Sequence, residues 1–339
     1  MENILVIRFS SLGDVVMATA VVEALRREFP RSRLTVLTRA VYAPVFAGDG
    51  RIDNLIGING RETPFRIARM LGDHFSAVID LHGTLRSRIV SSLLKAPLKL
   101  TVQKHSLSRR LMIWSRNRFR RKFDALGSYL ETLRPLGIST RVLPCLKPGE
   151  DVLDASRQLL TKIRKSDHGK LIGLAPGSQH PMKRWPETSW AQLADKLLVR
   201  GDTPVFIGDN ADRVYIDAIR EMMRRNASSL AGGDLSLTIG IISRLDGLVT
   251  NDSGPMHIAG ALDTPFAALF GPTHPDLGFV PGYPYGAVLH SGIPCSPCSV
   301  HGQTPCRLKT RKCMEAITPD MAVKELDRVM NLRMEKDEG

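Results

Sequence analysis

Short, unbroken apolar runs alternate along this chain with longer stretches in which apolar residues recur every three or four positions. Residues 3–9 (Asn-Ile-Leu-Val-Ile-Arg-Phe), 34–38, 77–81, 171–175, 204–208, 247–250 and 266–270 are such runs. A brief apolar run bounded by turn signals predicts a strand buried on both faces of a parallel sheet. Helical spacing extends from Val15 to about Phe29, stopping before Pro30, and again around Pro64–Leu71. It returns from Pro186 through Trp190, Leu193, Ala194, Leu197 and Leu198. Further helices are predicted over Asp151–Lys165, Asp212–Arg224, from about Pro255, and over Pro319–Leu332, with a frayed tail from Glu335. Strand–helix alternation predicts βαβ units. The pattern starts twice, at Asn3 and at Leu171, so two α/β halves are expected, joined in or beside residues 151–170.

A length of 339 residues agrees with two domains, each large enough to bury a core. The 43% hydrophobic and 24% charged content is that of a globular protein and excludes collagen-like, coiled-coil and wholly disordered chains. No apolar run approaches the ~20 residues of a membrane helix, and no internal repeat is visible. The net charge of +13 is local. Between Leu81 and Phe123 there are 12 basic residues and no acidic one; the remaining 35 basic residues nearly balance 34 acidic ones. Such a field draws phosphate-rich partners: nucleic acid, an anionic membrane or a polyanionic substrate.

Candidate chemistry follows the predicted strands, where an open parallel sheet binds its ligands. After the first strand, Ser10-Ser11-Leu12-Gly13-Asp14 puts a carboxylate at a helix start, either as a cap or facing a ligand. The glycines of a dinucleotide fingerprint are missing there. After Ala175, the run Pro-Gly-Ser-Gln-His-Pro-Met-Lys-Arg-Trp-Pro offers the Ser178 hydroxyl and the charges of Lys183 and Arg184 before a helix N-terminus. That set suits a phosphate, or forms a solvated basic loop. After Thr250, Asn-Asp-Ser-Gly-Pro-Met-His places Asp252 and His257 around Ser253 and Gly254 at another helix start. This reads as an anion site or as an N-cap with a helical histidine. Gly208-Asp-Asn-Ala-Asp212 ends a further strand with a carboxylate able to hold a ribose hydroxyl.

Cys295, Cys298, Cys306 and Cys313 cluster with C-x₂-C-x₇-C-x₆-C spacing and could hold a structural zinc ion. The first residues lack a basic segment followed by an apolar one, so a cytoplasmic location with reduced thiols is expected.

Taken in order, Ser-Ser-Leu-Gly-Asp, Pro-Gly-Ser-x₄-Lys-Arg-Trp-Pro and Asn-Asp-Ser-Gly-Pro-Met-His resemble the motifs of glycosyltransferase family 9, the ADP-heptose:lipopolysaccharide heptosyltransferases. The Cys-x-Pro-Cys segment is similar to one found in many members. The resemblance implies a GT-B fold, two Rossmann-like domains with parallel sheets facing across a cleft. Residues 1–165 would bind the acceptor and 166–318 the nucleotide sugar, with a helix over 319–339 returning to the first domain. It implies Asp14 as general base and Lys183 on the donor phosphates, with Ser178 assisting. Asp252, Ser253, Gly254 and His257 would form the donor loop, and Leu235 would offer its backbone to adenine. Asp212 would lie near the ribose, where the family has Glu.

The implied reaction is an inverting transfer of heptose from ADP-heptose to the lipopolysaccharide inner core. It needs no metal for catalysis, in keeping with the lack of any Asp-x-Asp. Arg109, Arg110, Arg116, Arg118, Arg120 and Arg121, beside Leu111, Trp114 and Phe119, could then receive the anionic acceptor or rest on an anionic membrane, the inner face of the inner membrane. The same stretch also reads as a solvated helix face. Two other readings stay open: a family 9 transferase with a different sugar or acceptor, and a non-catalytic nucleotide- or nucleic-acid-binding protein. No RRM, KH or zinc-finger pattern accompanies the arginines.

Overall fold

The computed structural model describes residues 1–72, 74–115, 121–164 and 169–338. In chain order it begins β1 (Asn3–Ile7), α1 (Leu12–Glu28), β2 (Arg33–Arg39), β3 (Asn54–Ile58), α2 (Pro64–Leu71), β4 (Ala77–Asp80), α3 (Leu85–Leu93) and β5 (Leu98–Thr101). It continues α4 (Ser106–Trp114), α5 (Ala125–Glu131), α6 (Glu150–Thr161), β6 (Leu171–Ala175), α7 (Glu187–Arg200), β7 (Thr203–Phe206), α8 (Arg213–Glu221), β8 (Ser228–Ser229) and α9 (Leu235–Ile242). It closes β9 (Gly247–Asn251), α10 (Gly254–Ala261), β10 (Phe266–Phe270), β11 (Gly286–His290), α11 (Lys312–Glu315) and α12 (Pro319–Glu338).

Both sheets are parallel, as expected. The first runs β3-β2-β1-β4-β5 and the second β11-β10-β9-β6-β7-β8. In each, the chain fills one side of its first strand and then crosses to the other. The strand order therefore reverses between β1 and β4, and again between β6 and β9. Loops at the carboxyl ends of two such strands diverge and leave room for a ligand. These two switch points hold most of the chemistry predicted above.

Strands next to a switch point are buried along nearly their whole length, which is why they read as unbroken apolar runs. The core of the first unit gathers Leu5, Ile7, Leu37, Val78 and Val90. That of the second gathers Ile172, Leu174, Trp185, Trp190, Val249 and Leu269. Trp190 and Leu193 sit on the inner face of α7, which stops at Gly201 in the left-handed conformation at φ +93°. A glycine just beyond the last turn satisfies the helix carbonyls at no steric cost.

The boundaries differ from those expected from sequence. The chain divides into Met1–His105 with Asp124–Glu150, and Ser106–Phe123 with Asp151–Gly339. The later break falls at Glu150, beside the span 151–170 expected to join the halves, and α6 packs with the second unit: the Val152 carbonyl and Ser156 press on Gly240. Residues 165–168 lie outside the described residues. The segment 106–123 joins the second unit because Met112 and Phe123 pack on Leu277.

α12 also belongs to the second unit. Ala322, Leu326, Val329 and Met330 are buried at helical spacing against α7, β9, β10 and β11. The helix continues to Glu338, past the predicted fraying point. Among the described residues no helix is long and apolar enough to cross a membrane.

Candidate active site

In the first unit the site grows from the end of β1. Ser11 is the N-cap of α1 and Asp14 its third residue. The expected capping role is real: the Ser11 N–H donates to Asp14 Oδ2 at 3.2 Å and the Ser11 hydroxyl at 2.9 Å. The carboxylate does more than cap. Arg8 Nη2 lies 2.6 Å from the same oxygen, and the Tyr129 hydroxyl from α5 donates to Oδ1 at 2.9 Å. The Asp14 side chain nevertheless keeps 24% of its surface exposed.

Burial pushes this carboxyl up, but the Arg8 charge and the Ser11 and Tyr129 donors outweigh it and bring Asp14 down to about 2. Arg8 also donates through Nη1 to the Leu81 carbonyl at 2.5 Å and lies over the Tyr129 ring, 5.3 Å from its centre. One guanidinium thus ties β1 to the end of β4 across the first switch point.

His82 follows directly, its ring 4.9 Å from that of Phe9. Its Nδ1 is buried without a hydrogen-bond partner among the described residues. Burial, then the charges of Arg8 and Lys104, push the imidazole down to about 4, so it is neutral at physiological pH. Lys104, beyond β5, is itself lowered, by burial and then by Arg8. The result is an ionised acid ringed by donors and cations at the mouth of a sheet.

In the second unit the loops after β6 and β9 meet. Lys183 Nζ lies 2.7 Å from Asp252 Oδ2 and donates to the Asp252 carbonyl at 3.2 Å. The Thr273 hydroxyl, beyond β10, donates to the same carboxylate at 2.6 Å. Burial raises the Asp252 carboxyl, and Lys183, Thr273 and nearby His257 more than reverse that, holding it below the usual range. Asp252 is therefore the partner that fixes the Lys183 ammonium.

Asn251 braces the pair from below. It accepts from the Trp185 N–H at 3.1 Å and donates to the Pro176 carbonyl at 2.7 Å, locking the two loops together. Ser253 caps α10, with Gly254 first and Pro255 second in the helix. Proline brings no N–H, so the donors of that turn come from its neighbours. His257 is buried on α10 against Tyr283, ring centres 6.5 Å apart, and reaches the site through the field it exerts on Asp252.

Ser178 is buried, and its carbonyl accepts from Arg184 Nε at 3.1 Å. Arg184 stacks over Tyr215 at 4.8 Å and lies 3.9 Å from Asp212. Burial, then Asp209, raises the Asp212 carboxyl. Asp212 sits directly over Gly177, where a Cβ would be 2.1 Å from its carboxylate. The loops after β6, β7, β9 and β10 thus converge. Leu235 opens α9 after β8, at the edge of the sheet, held by its N-cap Asp234.

The basic stretch is only partly a surface. Arg109, expected at the acceptor or membrane, is 8% exposed; it donates to the Leu277 carbonyl at 2.9 Å and lies over Phe123 and Phe279. Stacked between two rings, it is an interior anchor. Arg110 and Arg121 are exposed. Arg116, Arg118 and Arg120 lie outside the described residues. The four clustered cysteines are free thiols lining one pocket.

Arg8, Tyr129, His82, Lys104 and Thr273 were not foreseen as site residues. Arg8 carried a signal, a charge inside an otherwise apolar run. Tyr129 carried none, since 115 residues separate it from Asp14.

The model of glycosyltransferase family 9 (heptosyltransferase) matches residues 65–307. The chain is 25% identical to the lipooligosaccharide heptosyltransferase 2 of Haemophilus ducreyi over 97% of its own length and 99% of the relative's. Over 33% of its length it is 36% identical to the lipopolysaccharide heptosyltransferase 2 of Escherichia coli, covering 34% of that protein. Among solved structures it resembles a family 9 glycosyltransferase from Veillonella parvula, with TM-score 0.80, 24% identity and 97% of each chain covered. It also resembles the E. coli ADP-heptose heptosyltransferase II, with TM-score 0.74, 22% identity and 98% and 100% covered. The two parallel-sheet units are those of a GT-B fold. With the family model spanning most of its length, this chain belongs to glycosyltransferase family 9 (heptosyltransferase) and is a glycosyltransferase.

Proposed function

We propose that the protein transfers heptose from ADP-heptose to the inner core of lipopolysaccharide, with inversion and without a catalytic metal. The observation that carries the reading is the ionised, partly exposed Asp14 at the first switch point. The second unit supplies the complementary cation, Lys183, at its own switch point. The relatives named as heptosyltransferases support the choice of sugar and acceptor.

The chemistry follows from the donors around Asp14. Among the described residues, Oδ2 already accepts from Arg8 and twice from Ser11, whereas Oδ1 accepts from Tyr129 alone. Oδ1 is the oxygen that takes the acceptor's proton. The hydroxyl oxygen attacks the anomeric carbon, and the bond to the ADP oxygen breaks on the opposite face, its electron pair leaving with ADP. A carboxylate near pKa 2 is a weak base for a neutral alcohol. It receives the proton late, once bond formation has made the hydroxyl strongly acidic. Charge growing on the diphosphate is met by Lys183 and by the first turn of α10, groups already fixed in place.

The acceptor is a lipid, and α4 offers a surface for one. Leu107, Leu111 and Trp114 recur at helical spacing and are 78%, 55% and 80% exposed. Arg110 on the same helix is exposed, as are Arg121 and Lys122 further along the chain. An exposed apolar stripe with cations at its margin suits an anionic bilayer face. The proposed workplace is the cytoplasmic face of the inner membrane.

Incubation of the purified protein with ADP-heptose and truncated core acceptors, followed by mass spectrometry, tests the reading. One added heptose with released ADP supports it; transfer only from another nucleotide sugar sinks the choice of donor. Co-sedimentation with anionic vesicles that weakens in high salt supports the lipid surface. Equal partition onto neutral and anionic vesicles refutes it.

A further inference from the structure

Lys183 and Arg184 are neighbours in the loop after β6, yet their side chains part. Lys183 turns to Asp252 at the switch point. Arg184 turns toward α8, where several contacts hold it. Its Nε donates to the Ser178 carbonyl at 3.1 Å, and its guanidinium carbon lies over the Tyr215 ring, 4.8 Å from the centre. The Tyr215 hydroxyl donates to the Trp185 carbonyl at 2.7 Å, so the ring is tied to the residue that follows the arginine it carries. Arg311 donates to the Arg184 carbonyl. A stacked guanidinium keeps its plane, and with it the direction of its remaining N–H donors.

Asp212 is fixed as firmly from the end of β7. The Asp209 N–H donates to its Oδ2 at 3.3 Å, and its own N–H donates to Asp209 Oδ1 at 3.1 Å. The carboxylate fills the space that two glycines leave. A Cβ on Gly177 would stand 2.1 Å from Oδ2, and one on Gly208 2.9 Å from the Asp212 Cβ. Oδ2 is thus committed to backbone, while Oδ1 lies 3.9 Å from Arg184 Nη2. That separation is too long for a hydrogen bond. It is short enough for one hydroxyl oxygen to sit ~2.8 Å from both atoms. A hydroxyl suits the pair, because it donates to the carboxylate while accepting from the guanidinium. Both side chains reach the surface, with 27% and 16% of their area exposed.

We infer that Arg184 is a specificity residue for the nucleotide, which together with Asp212 grips one hydroxyl of the donor's ribose. The place fits. The Lys183–Asp252 pair lies where β6 adjoins β9, and Asp212 follows β7, the neighbour of β6 on its other side. Adjacent strands are ~4.8 Å apart, so a diphosphate held at Lys183 brings the pentose bonded to it level with Asp212. The chemistry is selective. A carboxylate alone accepts from any hydroxyl or amine, whereas the guanidinium beside it repels an ammonium and favours a group that also accepts. The inference rests on the reading of the second unit as the one that binds the donor.

Calorimetric titration of the full-length protein with ADP, 2′-deoxy-ADP and 3′-deoxy-ADP tests it. One of the two deoxy nucleotides is expected to bind at least roughly tenfold more weakly than ADP, the cost of leaving two charged partners without their hydroxyl. In Arg184→Met, which keeps much of the stem, the preference for ADP over that deoxy nucleotide is expected to vanish largely. Asp212→Asn, which keeps the shape of the side chain, is expected to shrink the same preference. The ratio of affinities is the decisive reading, because a loop that is merely loosened weakens all three nucleotides alike. An Arg184→Met protein that binds every nucleotide less tightly but keeps the wild-type ratio overturns the role of Arg184. Equal affinity of the wild-type protein for ADP and both deoxy forms overturns the inference and leaves the donor reading standing. A protein that binds no ADP removes the donor reading, and the inference with it.

Discussion

Arg8 Nη2 and Asp14 Oδ2 lie 2.6 Å apart, and the same guanidinium donates to the end of β4. The acid is therefore held by a group that also spans the strand-order reversal of its sheet. A residue placed this way is fixed in position and in charge before any substrate arrives.

Asp14→Ala is expected to lower turnover by roughly 10³-fold, within the range for losing a general base. ADP binding, which belongs to the other unit in this reading, is expected to stay nearly unchanged. Product release measured by mass spectrometry and ADP affinity by calorimetry check the two halves. Wild-type turnover in this variant ends the assignment.

The low pKa of Asp14 has a pH signature. With a folded value of about 2, the base remains ionised through the working range, so kcat/KM should show no acid limb from Asp14 above pH ~4. Arg8→Met removes the main cause of the depression, and an acid limb should then emerge and move toward neutrality.

Stability carries the same sign. A carboxyl depressed on folding stabilises the native state fully above its unfolded pKa of about 3.9. The contribution, about 2 kcal/mol, fades as pH falls toward about 2. Urea midpoints of wild type and Asp14→Asn should therefore draw closer between pH 5 and roughly pH 2.

Lys183→Ala leaves Asp252 buried without its cation. Breaking one side of a buried pair costs about 3–5 kcal/mol. Lower stability is expected together with weaker ADP binding and slower transfer. Adding Asp252→Asn should restore much of the stability and none of the binding. Recovery of ADP affinity in the double variant would count against Lys183 as a phosphate contact.

Gly177→Ala places a methyl group 2.1 Å from the Asp212 carboxylate in the present geometry. A loss of about 1–3 kcal/mol is expected from the forced displacement. The double variant with Asp212→Ala should lose much less than the sum of the two changes, because the clash is shared. Chemical denaturation of the three variants decides it.

How far the sequence reveals this protein depends on burial. β1, β4, β6 and β9 are legible because both faces are covered, leaving unbroken apolar runs. β3, β5 and β8 are only partly buried, and β8 has two residues, so none gives a distinct period. β11 alternates between buried and half-buried positions. Asp14, Lys183, Asp252 and Ser253 could be read because each follows a legible strand. Tyr129 and Thr273 meet their carboxylates only through tertiary packing. Arg109 misled for the opposite reason. Composition reports charge, and charge alone does not reveal that Arg109 lies between two phenylalanine rings.

The excursion of residues 106–123 into the second unit means that the chain passes between units three times, at 105, 123 and 150. Neither unit is a contiguous stretch of polypeptide. A fragment beginning at Asp151 would lack Met112 and Phe123 and would bare Leu277 to water. Dissection by a single cut at the midpoint is expected to yield a sticky C-terminal piece. Faithful separation of the halves needs the excised segment returned, either grafted on or supplied as a peptide.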